Sequence, residues 1–403
     1  MDYQELKNIY DTPLYVYNFD DIKSRYEALK SEFKARKSLI CYAVKANSNL
    51  SLLKMLADLG SGFDCVSIGE VKRAILAGAK SYKIIFSGVG KKDSEIKEAI
   101  NLDILMINVE SSAELLRVES VAKELNKKAR ISIRVNPNID AKTHPYISTG
   151  LKENKFGVDI EKAKSMYLKA KNSSFLDPVG IHFHIGSQLL DITPVHEAAK
   201  VVAKLLNELK AVDIDIKFFD VGGGIGIRYN KEEPVNLYQY AQGILESLKG
   251  QDLTIVCEPG RYIVGECGEL LTSVIYEKIN DKKRFVIVDA AMNDLLRPSL
   301  YGAYHEILSL KNTQTSNCDV VGPVCESGDF LAKDINLPDL ESGDLLVVKN
   351  AGAYGFTMSS NYNTRARAAE VAIEAGKHRL IRKRESFEDL IKNELVEDFG
   401  AKY

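Results

Sequence analysis

LICYAVKANSNLSLLKMLADLG (residues 39–60) contains one complete strand-to-helix unit. Its first part, LICYAVK, is an apolar β-rich run that ends on a single lysine, Lys45. The later stretch, NLSLLKMLADLG, repeats its apolar residues at intervals of three and four and closes on a glycine, as an amphipathic helix does. The alternation continues to about residue 275. Strand-like runs follow at GFDCVSI (62–68), KIIFSG (83–88), ILMINVE (104–110), RISIRVN (130–136), VGIHFHIG (179–186), KFFDVGG (217–223) and LTIVCEP (253–259). Helical stretches such as SIGEVKRAILAGA (67–79) lie between them. Several runs (IIF, ILMI, TIV) are continuously apolar, the pattern of strands covered on both faces. Eight such units predict a (β/α)8 barrel, a fold that typically needs about 250 residues. A doubly wound open sheet is the competing topology, but a six-strand dinucleotide fold leaves two units over.

Beyond 275 the rhythm changes. LLTSVIYEKI, RFVIVDAA, CDVVGPVCESGDFLA and DLLVVKNAGAY are β-rich runs separated by turns, which predicts a C-terminal antiparallel β-domain. TPLYVYNFD (12–20) is also strand-like and precedes the first barrel unit, so it is expected to join that domain. The predicted organisation is an N-terminal segment over 1–30, a barrel over 31–275 and the β-domain over 276–403.

Composition narrows the function. The 403 residues are 45% hydrophobic and carry 54 basic against 56 acidic side chains, a net charge of −2. That balance argues against nucleic-acid binding, which leaves a basic excess or patch. The one basic cluster, KHRLIRKR (377–384), reads as a solvated surface segment. Six cysteines without a CxxC pair, together with the acidic start MDYQE, point to a reducing cytoplasm. No apolar run approaches the roughly 18 residues of a membrane span.

Barrel chemistry sits where strands end and the following loops begin. Read in order, those ends carry Lys45, Ser67, Ser87, Asn108, Asn136, His184, Gly222–Gly224 and Glu258. DVGGGIG (220–226) is either a tight turn or a loop whose N–H groups approach an anion closely. EPGRY (258–262), from the neighbouring loop, adds Pro259, Gly260 and Arg261. Loops after strands seven and eight are where barrels commonly hold phosphate, and this favours the anion reading. The spacing is not that of a nucleotide P-loop.

A lysine on strand one of a barrel with such a phosphate site suits a Schiff base with pyridoxal phosphate. Partial burial makes its amine nucleophilic. Glu258 can then keep the pyridinium nitrogen protonated. His184 can lie flat against the ring and Ser187 can bind phosphate, while His182 reads as a hydrogen-bonded core residue. Metal binding is not indicated, because the histidines and cysteines lack ligand spacing.

With these motifs in place, the chain resembles the diaminopimelate decarboxylases, of the fold-type III, alanine-racemase-like pyridoxal phosphate enzymes. The likeness runs through YAVKAN, NPNIDAKTHPYISTGLKENKFG, HFHIGSQ, DVGGGIG, EPGRYIV, RPSLYGAYH, GPVCESGDFLA and AGAYGFTMSSNYN, in that order. It implies that Lys45 carries the cofactor, that Gly222, Gly223, Gly224 and Glu258–Arg261 hold it, and that Tyr354 touches it near the substrate. It also implies that Cys325 enters the active site of the other subunit of a homodimer as proton donor. A thiol in the polar loop Cys325–Asp329 is placed for reaction, unlike a core cysteine, and is mostly protonated at neutral pH. Arg297 in RPSLY reads as a surface ion-pair residue or, with the resemblance, as a bidentate carboxylate ligand beside Tyr301. Glu326 of the partner subunit is expected to meet the substrate's distal ammonium, and Arg261 to assist. One departure from the family pattern is Ile68, where a second small residue is expected.

Decarboxylases of ornithine, arginine or carboxynorspermidine share the cofactor and fold. RPSLY and the long THPYISTGLKENKFG loop speak for diaminopimelate. A racemase wants a KANAYGHG-like opening with its catalytic tyrosine, whereas this chain has KANSNLSL. Lys45 and Cys325 together argue against a non-catalytic binding protein.

Overall fold

A computed structural model describes residues 2–140 and 155–395. The chain forms two compact units, one from residues 20–266 and one from the two flanking segments.

The first unit is a closed parallel barrel. β1 (Leu14–Asn18) precedes it; its strands are β2 (Ser38–Ala43), β3 (Gly62–Cys65), β4 (Ile84–Phe86), β5 (Met106–Val109), β6 (Ala129–Arg134), β7 (Leu176–His182), β8 (Phe218–Asp220) and β9 (Thr254–Cys257). Each pairs with the next, and β2 closes the ring by pairing with both β3 and β9. The apolar runs are buried on both faces, as β4 shows with Ile84, Ile85 and Phe86. Cys41, Ile85, Met106, Val179 and Val256 pack into one cluster. Fully burying such a side chain typically contributes about 1.5–3 kcal/mol. Side chains at the following helices' N-termini satisfy backbone N–H groups: Asn49 accepts from Ser51 N, and Ser111 from Glu114 N.

The second unit is a nine-stranded sheet. Its strands after the barrel are β10 (Gly268–Asn280), β11 (Lys283–Val288), β12 (Ile307–Ser309), β13 (Thr315–Val321), β14 (Phe330–Pro338), β15 (Leu345–Val348), β16 (Ala369–Glu374) and β17 (Lys377–Arg382). β1 joins this sheet, as expected, lying between β10 and β16. The sheet is mixed rather than antiparallel throughout: β1 runs parallel to β16, and β11 parallel to β13. Its core joins Leu6, Leu14, Val16, Leu271, Val347, Ala369 and Val371.

The boundaries differ from those expected at 30 and 275. The second unit resumes at Cys267, because the long strand Gly268–Asn280 pairs with β1, β11 and β15 and with no barrel strand. The basic run 377–384 forms the edge strand β17, mostly solvated, with Arg382 paired to the buried Glu370. An eight-residue helix, Tyr3–Tyr10, escapes the sequence reading; Asp2 caps it by accepting from Gln4 N and Glu5 N.

Candidate active site

Parallel pairing puts the C-terminal ends of all eight barrel strands on one rim. Lys45 stands just past β2, in the 3-10 turn Val44–Ala46. Its Nζ lies 3.0 Å from Asp64 Oδ2 on β3, and Asp64 is 1% exposed. Asp64 was missed in sequence, where Ser67 stood for this strand end. Ser67 instead caps the helix Ile68–Leu76 through Glu70 N. The signal for Asp64 was present: a lone acid inside the apolar strand GFDC needs a charged or hydrogen-bonding partner. Burial and the nearby Glu258 push its carboxyl up, against the pull of Lys45.

Opposite lies a second acidic cluster. Glu258 follows β9, and its Oε2 lies 3.3 Å from His182 Nε2. His182 is a buried, hydrogen-bonded residue, as expected, and its partner is the carboxylate of Glu258. Burial alone would raise Glu258, but His182 and Lys45 outweigh it and hold the carboxyl at about 2. Asp220, at the end of β8, is pushed well above the carboxylate range by burial and by the Glu258 charge. The two carboxyls are thus driven in opposite directions, Asp220 up and Glu258 down. Asp220 Oδ1 also accepts from Gly222 N at 2.9 Å, which fixes the start of the glycine loop.

That loop is glycine-rich because the neighbouring strand ends crowd it. A Cβ at Gly223 would sit 2.1 Å from Glu258 O, and Gly222 has φ +67° with Phe183 O 2.6 Å from its Cβ position. Gly223 N donates to His184 Nδ1 at 3.2 Å, so the neutral His184 ring carries its proton on Nε2. Burial, Arg134 and Lys45 hold His184 well below its usual range and keep it uncharged. Arg261 is buried and donates from Nη1 to Tyr229 OH (2.7 Å) and from Nη2 to Ser187 Oγ (3.0 Å). It thereby braces the loops after β7 and β8. Pro259 O accepts from Ala43 N at 3.0 Å, and the Cβ position of Gly260 lies 3.0 Å from Ala46 Cβ, so EPGR packs against the turn that bears Lys45.

The rest of the rim is polar and tied together. Asn108 Nδ2 donates to Ser87 Oγ at 3.0 Å. Glu110 pairs with Arg134 at 3.2 Å and accepts from Gly88 N and Gly157 N, joining three loops. Asn136 Oδ1 accepts from Asn138 N in the loop after β6. Residues 143–154 of the THPYISTGLKENKFG loop lie outside the described residues.

This rim fits pyridoxal phosphate. The buried, ionised Glu258 has an oxygen, Oε1, with no donor among the described residues, as a ring N–H requires. The glycine run packs its backbone directly against the neighbouring strand ends, where a Cβ at Gly222, Gly223 or Gly224 would clash. His182, Asp220 and Glu258 also converge, each offering a ligand atom within 4.8 Å of the others, a spacing that could hold a cation and that the sequence spacing did not suggest.

The remaining candidates lie in the sheet unit. Arg297 opens the short helix Arg297–Tyr301, which Tyr301 closes, half-buried. Arg297 is buried, unlike a surface ion-pair residue, and its Nη1 donates to His305 Nε2 at 2.8 Å. His305 Nδ1 donates in turn to Lys349 O, which fixes the tautomer. Cys325 is the one exposed cysteine; the other five are buried. Burial pushes the thiols of Cys41, Cys65 and Cys257 well up. Asp329 holds the Cys325 loop shut by accepting from Met292 N and Val324 N, each at 2.7 Å. Ser299 Oγ, on the Arg297 helix, donates to Gly328 O at 2.6 Å, so helix and loop are neighbours. Tyr362 OH donates to Glu326 Oε2 at 3.0 Å. Tyr354 has φ +57°, a conformation that costs a bulky L-residue about 1–2 kcal/mol.

Comparison with known proteins agrees with this chemistry. Residues 19–265 match the family model of the pyridoxal-dependent decarboxylases, over its pyridoxal-binding domain. The diaminopimelate decarboxylase of Campylobacter jejuni is 68% identical over 393 residues, 97% of this chain and 98% of that protein. The Helicobacter pylori enzyme of the same name, whose crystal structure holds L-lysine, is 60% identical and superposes with a TM-score of 0.95 over 97% of this chain and 98% of its own. The diaminopimelate decarboxylase from M. jannaschii, also solved with L-lysine, is 38% identical with a TM-score of 0.93, covering 98% of this chain and 95% of its own.

Proposed function

The chain belongs to the pyridoxal-dependent decarboxylases, and within them to the diaminopimelate decarboxylases; from that premise we propose how its own residues carry the reaction. That reaction converts meso-2,6-diaminopimelate to L-lysine and CO2, the last step of lysine biosynthesis via diaminopimelate. Bound pyridoxal phosphate supplies the electron sink for the pair left when the α-carboxylate departs.

The residues supply the rest. Lys45 is the attachment point, and Asp64 holds or takes the proton of its amine at Oδ2. Glu258 keeps a proton on the ring nitrogen, and the neutral His184 offers a flat face to the ring. Ser187, Gly222, Gly223, Gly224, Pro259 and Gly260 make the phosphate wall, which Arg261 braces. Arg297 and Tyr301 take the substrate carboxylate, and Arg261, which keeps N–H donors beyond its bonds to Tyr229 and Ser187, assists. Tyr354 borders cofactor and substrate. Glu326 of the partner subunit meets the distal ammonium, and Cys325 of the partner subunit returns a proton to Cα. The working unit is then a cytoplasmic homodimer with shared active sites, and its ligands are amino acids rather than nucleic acid. Among the described residues no helix is long and apolar enough to cross a membrane.

The observation that carries this reading is the buried anionic Glu258, close enough to Lys45 to feel its charge, beside a glycine loop that a single Cβ would block. Purified protein supplied with pyridoxal phosphate should release CO2 from meso-diaminopimelate with lysine as the other product. It should act far more slowly on ornithine, arginine or carboxynorspermidine, and preference for any of these would displace the assignment.

A further inference from the structure

The loop that bears Cys325 is held from outside by a segment with no role so far. Asn363 Oδ1 accepts from Cys325 N at 3.0 Å, and the adjacent Tyr362 OH donates to Glu326 Oε2 at 3.0 Å. Two consecutive side chains thus grip two consecutive residues. The gripping segment is strained: Asn363 has φ +56° and Thr364 φ +57°, the second a β-branched residue in the left-handed region. It is also anchored at both ends. Ser360 N donates to Asn293 O (2.9 Å), and Arg365 Nε donates to Asn293 Oδ1 (3.0 Å). Glycine would meet the backbone demand at 363 more easily than asparagine, so the asparagine side chain has its own purpose.

We propose that Asn363 is a positioning residue that sets where the Cys325 thiol points, with Tyr362 doing the same for the Glu326 carboxylate. The proposal rests on the reading of Cys325 as the proton donor. Asn363 acts by fixing the peptide N–H of the residue that carries the thiol, while Asp329 fixes the other side of the same loop.

Asn363→Gly keeps the backbone conformation and removes only the acceptor, whereas Asn363→Asp keeps both. In the holoenzyme, Asn363→Gly should lower kcat roughly tenfold with KM within about threefold. Asn363→Asp should restore kcat to within about threefold of wild type. Both should melt within a few degrees of it. Cys325→Ala should cost about a hundredfold, and adding Asn363→Gly to it should cost nothing further, because the two act as one unit. A second readout needs no turnover. Freeing the Cys325 N–H should let the thiol move, so Asn363→Gly should change the rate of its iodoacetamide alkylation roughly threefold near neutral pH, followed by peptide mass spectrometry. Additive losses, full activity in Asn363→Gly, or an unchanged alkylation rate would each overturn the positioning role. Full activity in Cys325→Ala would instead bring down the reading of Cys325 itself, and the positioning role with it.

Discussion

The barrel unit and the sheet unit hold their functional groups by opposite means. In the barrel, Asp64, His182, Asp220 and Glu258 sit on or next to strands of a closed sheet, and all four are buried. Their charge states are imposed by burial and by one another, as the split between Asp220 and Glu258 shows. In the sheet unit, Cys325 and Glu326 are exposed and lie between strands. There the backbone is constrained instead, by the Asp329 clamp and by left-handed residues at 354, 363 and 364. The rigid unit suits a cofactor whose protonation must not drift, and the loop unit suits groups that meet a substrate. The first protects charge, the second position.

Substitutions can test that division. The largest effect should come from Lys45→Ala, which removes the attachment point: turnover should fall roughly 1,000-fold or more while the fold survives. Borohydride reduction and peptide mapping of the wild type should find the pyridoxyl group on Lys45; finding it on another lysine would dissolve the barrel half of the contrast. Next, Cys325→Ala should lose about a hundredfold. Mixed with Lys45→Ala under conditions that exchange subunits, it should regain part of the lost activity, since one site in the heterodimer inherits both native residues. Proven exchange without recovery would mean that each site comes from one chain. Arg297→Met should cut kcat/KM for diaminopimelate by roughly 30-fold or more and leave cofactor absorbance unchanged. Loss of cofactor would move Arg297 to the barrel's side of the comparison.

The smallest effect is on stability. Asp220 has a raised pKa in the folded state, so folding takes up a proton above the ordinary aspartate value of about 3.9. Its contribution is fully present below that value and is lost as pH rises toward the folded value, at up to about 1.4 kcal/mol per pH unit. Asp220→Asn, which cannot titrate, should flatten the fall of Tm between about pH 5 and pH 8. An unchanged slope would mean that Asp220 is ionised in the folded protein.

The legible parts of the sequence were those with a period or a motif. Alternation of apolar strands with amphipathic helices announced the barrel, and strand ends named Lys45, His184 and Glu258 because a parallel barrel aligns those ends. Asp64 was lost because β3 stops at Cys65, so the run read as reaching residue 68 ends earlier. His182 was set aside because one histidine in an apolar strand reads the same whether its partner is a carbonyl or a catalytic carboxylate. The two parallel pairings of the sheet were hidden because pairing direction depends on residues far apart in the chain. Asn363 closes the motif AGAYGFTMSSNYN, but the sequence does not show that its side chain reaches the Cys325 loop.

The placement of β1 has a consequence for the order in which the protein is made. This strand precedes the whole barrel in the chain, yet its neighbours β10 and β16 come only after the barrel. At about 5–20 residues per second, β1 waits on the order of tens of seconds with both hydrogen-bonding edges open. The barrel, complete by residue 266, can close in that interval. β1 therefore finds its place after the barrel that follows it, and a nascent chain halted before residue 369 leaves one edge of β1 unpaired.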